Sequence, residues 1–225
     1  MPAEPLQRLQ NGPLLSALMT STMRIESVAG QPDRIGRYKV KFTDGTAMSL
    51  YKQTVQDFGL YAGLELSDED FHNLQEAASK MSAKMRAVRI VSAGSVSKKD
   101  LQHRLIQKGE NPDDAKAAVS WLSDMNILDD KATAEQIVSR CIGKGYGIAR
   151  AKQALYEKQI PKAYWEEVLA DYPDQTDAIR AYIENHLPQD PDQKALKKVI
   201  DALIRKGHSY GVIRSVLNRW EDLED

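Results

Sequence analysis

Hydrophobic and polar positions follow two periods along the chain, and the shorter period comes first. Apolar and polar residues alternate over 24–28 and again over 38–42, which predicts strands with one buried face. Asp44-Gly45 predicts a tight hairpin turn after the second strand, because such a turn needs a positive φ that glycine readily adopts. A short helix that ends at Gly59 completes a predicted small β-rich segment over 23–66.

From Ser67 onward, apolar residues recur at steps of three or four, the period of a helix with one buried face. Ser67 is predicted to cap a long helix that ends before Gly94, because its hydroxyl can accept from a free amide of the first turn. The predicted buried face of this helix is Phe71, Leu74, Ala78, Met81, Met85, Val88 and Val91. Further predicted core residues, on later helices, are Leu101, Leu105, Val119, Trp121, Leu122, Met125, Cys141, Trp165 and Trp220.

The helical part of the chain repeats with a period of about 50 residues. Leu105, Leu155 and Leu203 are separated by 50 and 48 residues, and each lies three residues before a lysine. Glycine follows that lysine in the first and third windows, where a left-handed helix end is common, whereas Gln159 follows it in the second. Such a period is typical of stacked units. We therefore predict a mostly α fold, a curved and elongated array of tandem three-helix repeats over 67–130, 131–174 and 175–225, preceded by the small β-hairpin and helix segment.

Composition is that of a folded protein, with 42% hydrophobic and 28% charged residues and a formal net charge of -1. No apolar run approaches the roughly 20 residues that span a bilayer, so we expect no membrane partner. A single cysteine excludes an internal disulfide framework and fits a reducing compartment, which favours the cytoplasm. Four scattered histidines offer no zinc cluster, and we predict neither a metal nor a cofactor. Residues 1–22 are interpreted as a disordered tail, because they lack the basic start and long apolar core of a secretion signal.

Charge is distributed unevenly along the chain. Residues 79–160 carry a net charge of +6, whereas residues 161–192 carry -6. Solvated helix faces and a surface for a partner of mixed charge both explain this pattern, and lysines near helix ends also suit the helix dipole. For a binding surface we predict four cations around a glycine-rich break, together with two lysines at helix ends: Arg140, Lys144, Arg150, Lys152, Lys108 and Lys158.

Three motifs invite a catalytic interpretation, and their context argues against each. The run Gly143–Gly147 lacks the preceding strand and the spacing of a phosphate loop, so we interpret it as a break between two helices. Asp129-Asp130 is better explained as a helix start than as a metal pair. Cys141 lies on the apolar side of its helix, which favours a buried thiol over a nucleophile. We therefore predict no catalytic residue and no enzyme activity.

Several motifs of the helical part occur in a familiar order. Ser97-Lys98-Lys99-Asp100-Leu101 is followed by Leu105 and Lys108-Gly109, and then by Leu128-Asp129-Asp130 with Ala134. A second set comprises Arg140, Gly145, Gly147, Arg150, Leu155, Lys158 and Ile160. In order and spacing these motifs resemble the first and second repeats of the RecX family, bacterial regulators of the RecA recombinase. The resemblance covers about 23–225. Asp100, Thr133 and Gln159 depart from the family pattern, which has glutamate, an aromatic residue and glycine there.

The resemblance implies a regulatory protein that binds RecA and its filament on DNA. Family members lie in the deep groove of that filament and lower RecA's ATP hydrolysis, strand exchange and coprotease activity. A role in regulating DNA repair, homologous recombination and the SOS response follows from the same resemblance. It also implies weak direct contact with DNA, and we expect a monomer.

Two other classes of function remain open at the sequence level. A helix-turn-helix DNA-binding regulator could use 98–108 and 112–125, but its second helix would present Asp113, Asp114 and Asp124, which repel phosphate. A helical adaptor for another protein would share the fold and leave RecA unaffected.

Overall fold

The computed structural model describes residues 22–189 and 191–221. The predicted tail, except for Thr22, lies outside the described residues. The side chain of Trp220, a predicted core residue, also lies outside them. The chain divides into two compact units, one up to Met85 and one from Arg86 onward. Each unit is described by itself below.

The first unit contains a small antiparallel sheet, as the alternating pattern predicts. Its strand order is β3-β2-β1-β4, and Gly45 has a φ of 87° in the turn between β2 and β3. The elements are β1 (Met23–Val28), β2 (Arg37–Phe42), β3 (Ala47–Tyr51), α1 (Lys52–Asp57) and β4 (Glu65–Leu66). Sequence reasoning missed β4, because two residues are too few to show an alternation.

The core of the first unit lies between the sheet and the first turns of a long helix, α2 (Asp68–Ser92). Ile25, Phe42 and Leu74 are almost fully buried there, and the rings of Phe42 and Phe71 meet edge to face with centroids 5.2 Å apart. The amide of Asp70 donates to the Ser67 hydroxyl at 3.1 Å, so the predicted cap is confirmed.

Every other element described is helical, which confirms the prediction of a mostly α fold after a small sheet. A short 3₁₀ turn at Lys162–Tyr164 precedes α7. The helices after α2 are α3 (Lys98–Gln107), α4 (Pro112–Asp124), α5 (Asp130–Gly143), α6 (Ile148–Glu157), α7 (Trp165–Ala170), α8 (Thr176–His186), α9 (Gln193–Arg205) and α10 (Tyr210–Glu221). In chain order they follow the predicted repeats, whose boundaries at 67–130, 131–174 and 175–225 stay a prediction. Below, repeats 1, 2 and 3 are the sets that contain α3, α6 and α9.

Parts of the predicted core are wrong. In the second half of α2 the fully buried residues are Ala83 and Ala87, whereas Met85 is exposed. The prediction favoured large side chains, whereas the fully buried positions hold alanine. Met125 is also exposed, because α4 ends at Asp124 and Met125 lies beyond the buried face. Trp121 is half-buried, like Trp165, so its predicted place in the core is confirmed only in part.

Repeats 2 and 3 each have a compact apolar core. Cys141 lies in the core of repeat 2 at 6% exposure, which confirms a buried thiol. Trp165 packs against that core, and its indole N–H donates to the Ile160 carbonyl at 3.1 Å, as expected of a core anchor. The core of repeat 3 includes Ile179, Leu203 and residues of α10.

Candidate partner-binding surface

The second helices of the three repeats meet end to end. The Ser97 hydroxyl, at the start of α3, donates to the Lys158 carbonyl at the end of α6 with a distance of 2.6 Å. The Gly147 amide, at the start of α6, donates to the Lys206 carbonyl at the end of α9 with a distance of 2.9 Å. Both contacts satisfy a carbonyl that a helix end leaves without an internal partner. The helices α3, α6 and α9 therefore form one head-to-tail row.

The joint between repeats 2 and 3 requires glycine. A Cβ atom added at Gly147 would lie 2.0 Å from the Gly207 carbonyl oxygen, closer than any real contact. Gly207 has a φ of 91°, and a Cβ there would lie 2.4 Å from the Arg150 nitrogen. The break between helices predicted at Gly143–Gly147 is confirmed, and close backbone packing between repeats explains Gly147.

A buried histidine crosses the same joint. His208 is 6% exposed, and its Nε2 lies 3.1 Å from the Gly145 carbonyl oxygen. Its Nδ1 finds no hydrogen-bond partner among the residues that the structure describes. Burial lowers the pKa of His208, and the nearby Lys206 charge acts in the same direction. The imidazole is therefore neutral at pH 7 and serves the joint as a donor to Gly145.

An open groove of about 740 Å³ lies over this joint. We call it the tyrosine groove, defined by its lining residues Tyr146, Arg150, Gln153, Tyr182, Ala202, Ile204, Arg205 and Lys206. The Tyr172 hydroxyl donates to the Tyr146 carbonyl at 2.7 Å and so fixes the backbone at its edge. Burial raises the pKa of Tyr172 to about 12, which keeps this donor protonated at neutral pH.

Cations lie against the two aromatic rings of the groove. The Lys206 ammonium is 5.6 Å from the Tyr146 ring centroid and 5.0 Å from that of Tyr182. The Lys144 ammonium approaches the Tyr146 ring to 6.0 Å. Rings hold ammonium groups at such distances by their quadrupole, which restrains otherwise flexible lysine side chains. The arrangement presents ordered positive charge, suited to carboxylates or phosphates of a partner.

Two of the six predicted cations lie at this groove, Arg150 in its lining and Lys144 beside the Tyr146 ring, and a third, Arg140, lies one helical turn before Lys144. The charges of Arg150, Lys144 and Arg140 all act on the Cys141 thiol and oppose the effect of burial, which raises its pKa. Arg150 lines the groove and also lies 3.7 Å from the Glu157 carboxylate, so its charge is partly balanced.

The structure places the other three predicted residues elsewhere. Lys152 is exposed, but it lies two positions after Arg150 and so about 200° around the helix, away from the groove. Lys158 ends α6, and its carbonyl accepts a hydrogen bond from the Ser97 hydroxyl of repeat 1. Lys108 ends α3 on an exposed turn.

Of the groove residues that make the cation–aromatic contacts, sequence reasoning missed Lys206, Tyr146 and Tyr182. The repeat was a usable signal for Lys206, because it occupies the position of Lys108 and Lys158 in the third window. The tyrosines gave no signal, since they come from different repeats and meet only after folding.

The acidic pair at the start of α5 has a structural role. The Asp129 carboxylate accepts from the amides of Lys131 and Ala132, which confirms the predicted cap. Asp130 is buried and accepts from the Lys98 amide at 2.8 Å, at the start of α3. Within residues 22–189 and 191–221, no group of three metal-ligating side chains occurs. Over the same ranges, no helix has the length and apolar character needed to cross a membrane.

Comparison with known proteins finds similarity to proteins that are named as regulators. It is 25% identical over 202 residues to "Regulatory protein RecX" of Clostridioides difficile, with 87% of this chain and 93% of that protein covered. Proteins of the same name from Vibrio campbellii and Chlorobaculum tepidum are 28% and 29% identical, each over 63% of this chain and at least 90% of theirs. No protein-family profile matches the chain.

Solved structures agree on the fold. A crystal structure of regulatory protein RecX superposes with a TM-score of 0.58 over 87% of this chain and 99% of that chain, at 19% identity. RecX from Lactobacillus salivarius superposes with a TM-score of 0.55 over 64% of this chain and 98% of its own, at 21% identity. With the sequence matches, these similarities confirm the resemblance to the RecX family.

Proposed function

We propose that this chain, which shares its fold and most of its length with RecX regulatory proteins, binds RecA and its filament on DNA and lowers RecA activity. The activities affected are ATP hydrolysis, strand exchange and the coprotease function, so the protein regulates DNA repair and recombination. In this proposal it acts as a cytoplasmic monomer, without catalysis of its own. The observation that carries the proposal is the match to proteins named as regulators over 87% of the chain.

The tyrosine groove is the proposed contact surface. It combines Lys206 and Arg150 with two rings, and Lys144 lies beside one of those rings. The groove lies over a joint whose backbone contacts leave little freedom. Ordered cations favour an acidic partner and speed its encounter. The acidic partner is RecA or the DNA that it covers, and DNA phosphates then add a weaker contact.

The two alternatives receive less support. For a helix-turn-helix regulator, α4 would have to enter the DNA groove, but its first turn holds Asp113 and Asp114. Carboxylates there repel the phosphate backbone. A helical adaptor fits the fold equally well, and only an effect on RecA distinguishes it from the proposed regulator.

The test is RecA-catalysed ATP hydrolysis on single-stranded DNA, with the purified protein added at less than one molecule per RecA. We expect a dose-dependent fall in hydrolysis, and none by the protein alone. An unchanged rate with the RecA of the same organism contradicts the proposal and favours the adaptor.

A charge-neutralising pair tests the groove. Lys144→Gln with Lys206→Gln is expected to raise the concentration needed for half inhibition by about tenfold, since two desolvated charge contacts are lost. The matched control is Lys194→Gln with Lys197→Gln, which removes the same charge from the exposed start of α9. Equal inhibition by both pairs, at unchanged helical content, removes the groove from the contact surface.

A further inference from the structure

A second cavity, of about 240 Å³, lies in the joint between repeats 2 and 3, and we call it the joint cavity. It shares no lining residue with the tyrosine groove, and Gly147 and Gly207 form part of its wall. The rest of the lining is largely apolar and includes Ile148, Tyr172, Pro173, Ile179 and Val212. An apolar cavity of about 150 Å³ is enough to bind benzene, so the joint cavity has room for a larger ring system.

The polar side chains of the lining have hydrogen-bond partners within the protein, with one exception. The Asp174 carboxylate accepts from the first residue of α8, and the Gln175 amide donates to a carbonyl of its own loop. The Ser209 hydroxyl accepts from an amide in the first turn of α10, and the Tyr172 hydroxyl donates across the joint. The exception is His208, so this side chain is the one that a ligand can complete.

His208 offers a buried acceptor. Its Nε2 lies 3.1 Å from the Gly145 carbonyl oxygen, whereas its Nδ1 is buried and has no partner among the residues that the structure describes. Burial lowers the pKa of His208, so the ring is neutral at pH 7, with its proton on Nε2 and a lone pair on Nδ1. A donor that reaches this lone pair replaces hydration that burial has already removed, so its hydrogen bond favours binding more than a solvated one.

The charges around the joint cavity favour a neutral ligand. Residues at the starts of three helices line it: Gly147 before α6, Gln175 before α8 and Ser209 before α10. The partial positive charge of these helix ends disfavours a cation, whereas the Asp174 carboxylate repels an anion. The rings of Tyr172 and His208 in the lining suit contact with another aromatic ring.

We propose that the joint cavity binds a neutral aromatic molecule of one or two rings that donates one N–H or O–H group to His208 Nδ1. The ligand contacts residues of both repeats and so bridges the joint. Its site is separate from the contact surface of the proposed function, and its binding does not require RecA.

The first test compares two probes on the full chain, indole and indene. Indene has the same fused-ring frame but carries a CH₂ group in place of the N–H donor. We expect saturable binding of indole, measured by titration calorimetry, and about tenfold weaker binding of indene, which leaves the Nδ1 acceptor unpaired. Equal affinity for the two probes overturns the inference. Absence of saturable indole binding also overturns it.

The second test locates the probe by the NMR signals of isoleucine methyl groups. Indole is expected to shift the signals of Ile148 and Ile179, which line the joint cavity, and to leave those of Ile106 and Ile127 in place. The opposite pattern shows that indole binds elsewhere and contradicts the proposed site.

The third test removes the acceptor. His208→Phe keeps a ring in the lining but has no Nδ1, so we expect it to bind indole and indene with affinities within about threefold of each other. His103→Phe, at an exposed position of α3, is the matched control and should keep the preference for indole. A folded His208→Phe protein that still prefers indole by about tenfold contradicts the role of His208. If this variant does not fold, the two tests on the wild type still decide the proposal.

Discussion

The two joints in the row of second helices make the same connection with different chemistry. Between repeats 1 and 2 a side chain spans the gap, because the Ser97 hydroxyl both caps α3 and donates to the Lys158 carbonyl. Between repeats 2 and 3 the backbones themselves touch, with the Gly147 amide on the Lys206 carbonyl. A side chain thus makes the contact in the first joint, whereas glycine lets the two backbones touch directly in the second.

Each joint has further hydrogen bonds. In the first joint the Asp130 side chain accepts from the Lys98 amide. In the second, the Ala149 amide reaches the Gly207 carbonyl at 3.3 Å, and His208 bonds the Gly145 carbonyl. The backbone joint is the one that carries the tyrosine groove, so the more constrained joint shapes the candidate surface.

Gly147→Ala, at the joint between repeats 2 and 3, is expected to have the largest effect on stability. The added methyl group meets the Gly207 carbonyl, so repeats 2 and 3 must separate, and we expect the free energy of unfolding to fall by about 3 kcal/mol. Chemical denaturation followed by circular dichroism measures this. Gly211→Ala is the control, because a Cβ there meets nothing within 4 Å in α10. It should raise stability by about 0.5–1 kcal/mol. Equal behaviour of the two variants contradicts the backbone joint.

Ser97→Ala tests the side-chain joint. It removes the cap of α3 and the bond to Lys158, and should lower the free energy of unfolding by about 2 kcal/mol. Ser67→Ala is matched, because Ser67 also caps a helix through the amide three residues on, and its hydroxyl donates to Asp70. That control should cost about 1 kcal/mol, the value of a cap alone. If both variants lose the same free energy of unfolding, the bond to Lys158 does not contribute to stability.

His208 gives the backbone joint a pH dependence. Because burial lowers its pKa in the folded state, the unfolded chain binds the proton more readily, and stability falls as pH drops below about 6.5. The loss levels off below the folded-state pKa. Thermal midpoints between pH 7.5 and pH 5 should fall more steeply for wild type than for His208→Gln. His103→Gln, at an exposed position of α3, should keep the wild-type slope. If His208→Gln leaves the slope of the thermal midpoint against pH unchanged, His208 is not the source of the pH dependence.

The smallest expected effect concerns the residues that follow the ends of α3, α6 and α9. Gly109 and Gly207 have φ values of 86° and 91°, and Gln159 has a φ of 53° at the equivalent position. Glycine has no Cβ penalty there, so Gln159→Gly should raise the free energy of unfolding by about 0.5–1 kcal/mol. Gly109→Ala is the reciprocal change and should lower it by about 1 kcal/mol, since space around it is free and only φ is strained. A lower denaturation midpoint for Gln159→Gly, or a higher one for Gly109→Ala, contradicts the inference that these positions favour glycine.

Local signals in the sequence predicted the helices well. Caps at Ser67, Ser97 and Asp129 depend on residues two or three positions away, so their pattern is visible in the sequence. The hairpin at Asp44-Gly45 is equally local. The burial of Ala83 and Ala87 was not visible, because it depends on what packs against the helix.

The candidate surface was only partly predictable for the same reason. Local charge led to Arg140, Lys144 and Arg150, which the fold brings near one another. It also led to Lys152, which lies on another side of α6, away from the groove. The joint that creates the groove connects residues about 60 positions apart, such as Gly145 with His208, so no local sequence pattern reveals it.

In the proposed function, the backbone joint between repeats 2 and 3 shapes a surface that acts on RecA. The most direct measurement compares wild type, Gly147→Ala and Ser97→Ala as inhibitors of RecA-catalysed ATP hydrolysis, at a temperature where all three retain their helical content. We expect Gly147→Ala to lose most of the inhibition, whereas Ser97→Ala stays close to wild type. Full inhibition by Gly147→Ala would contradict it.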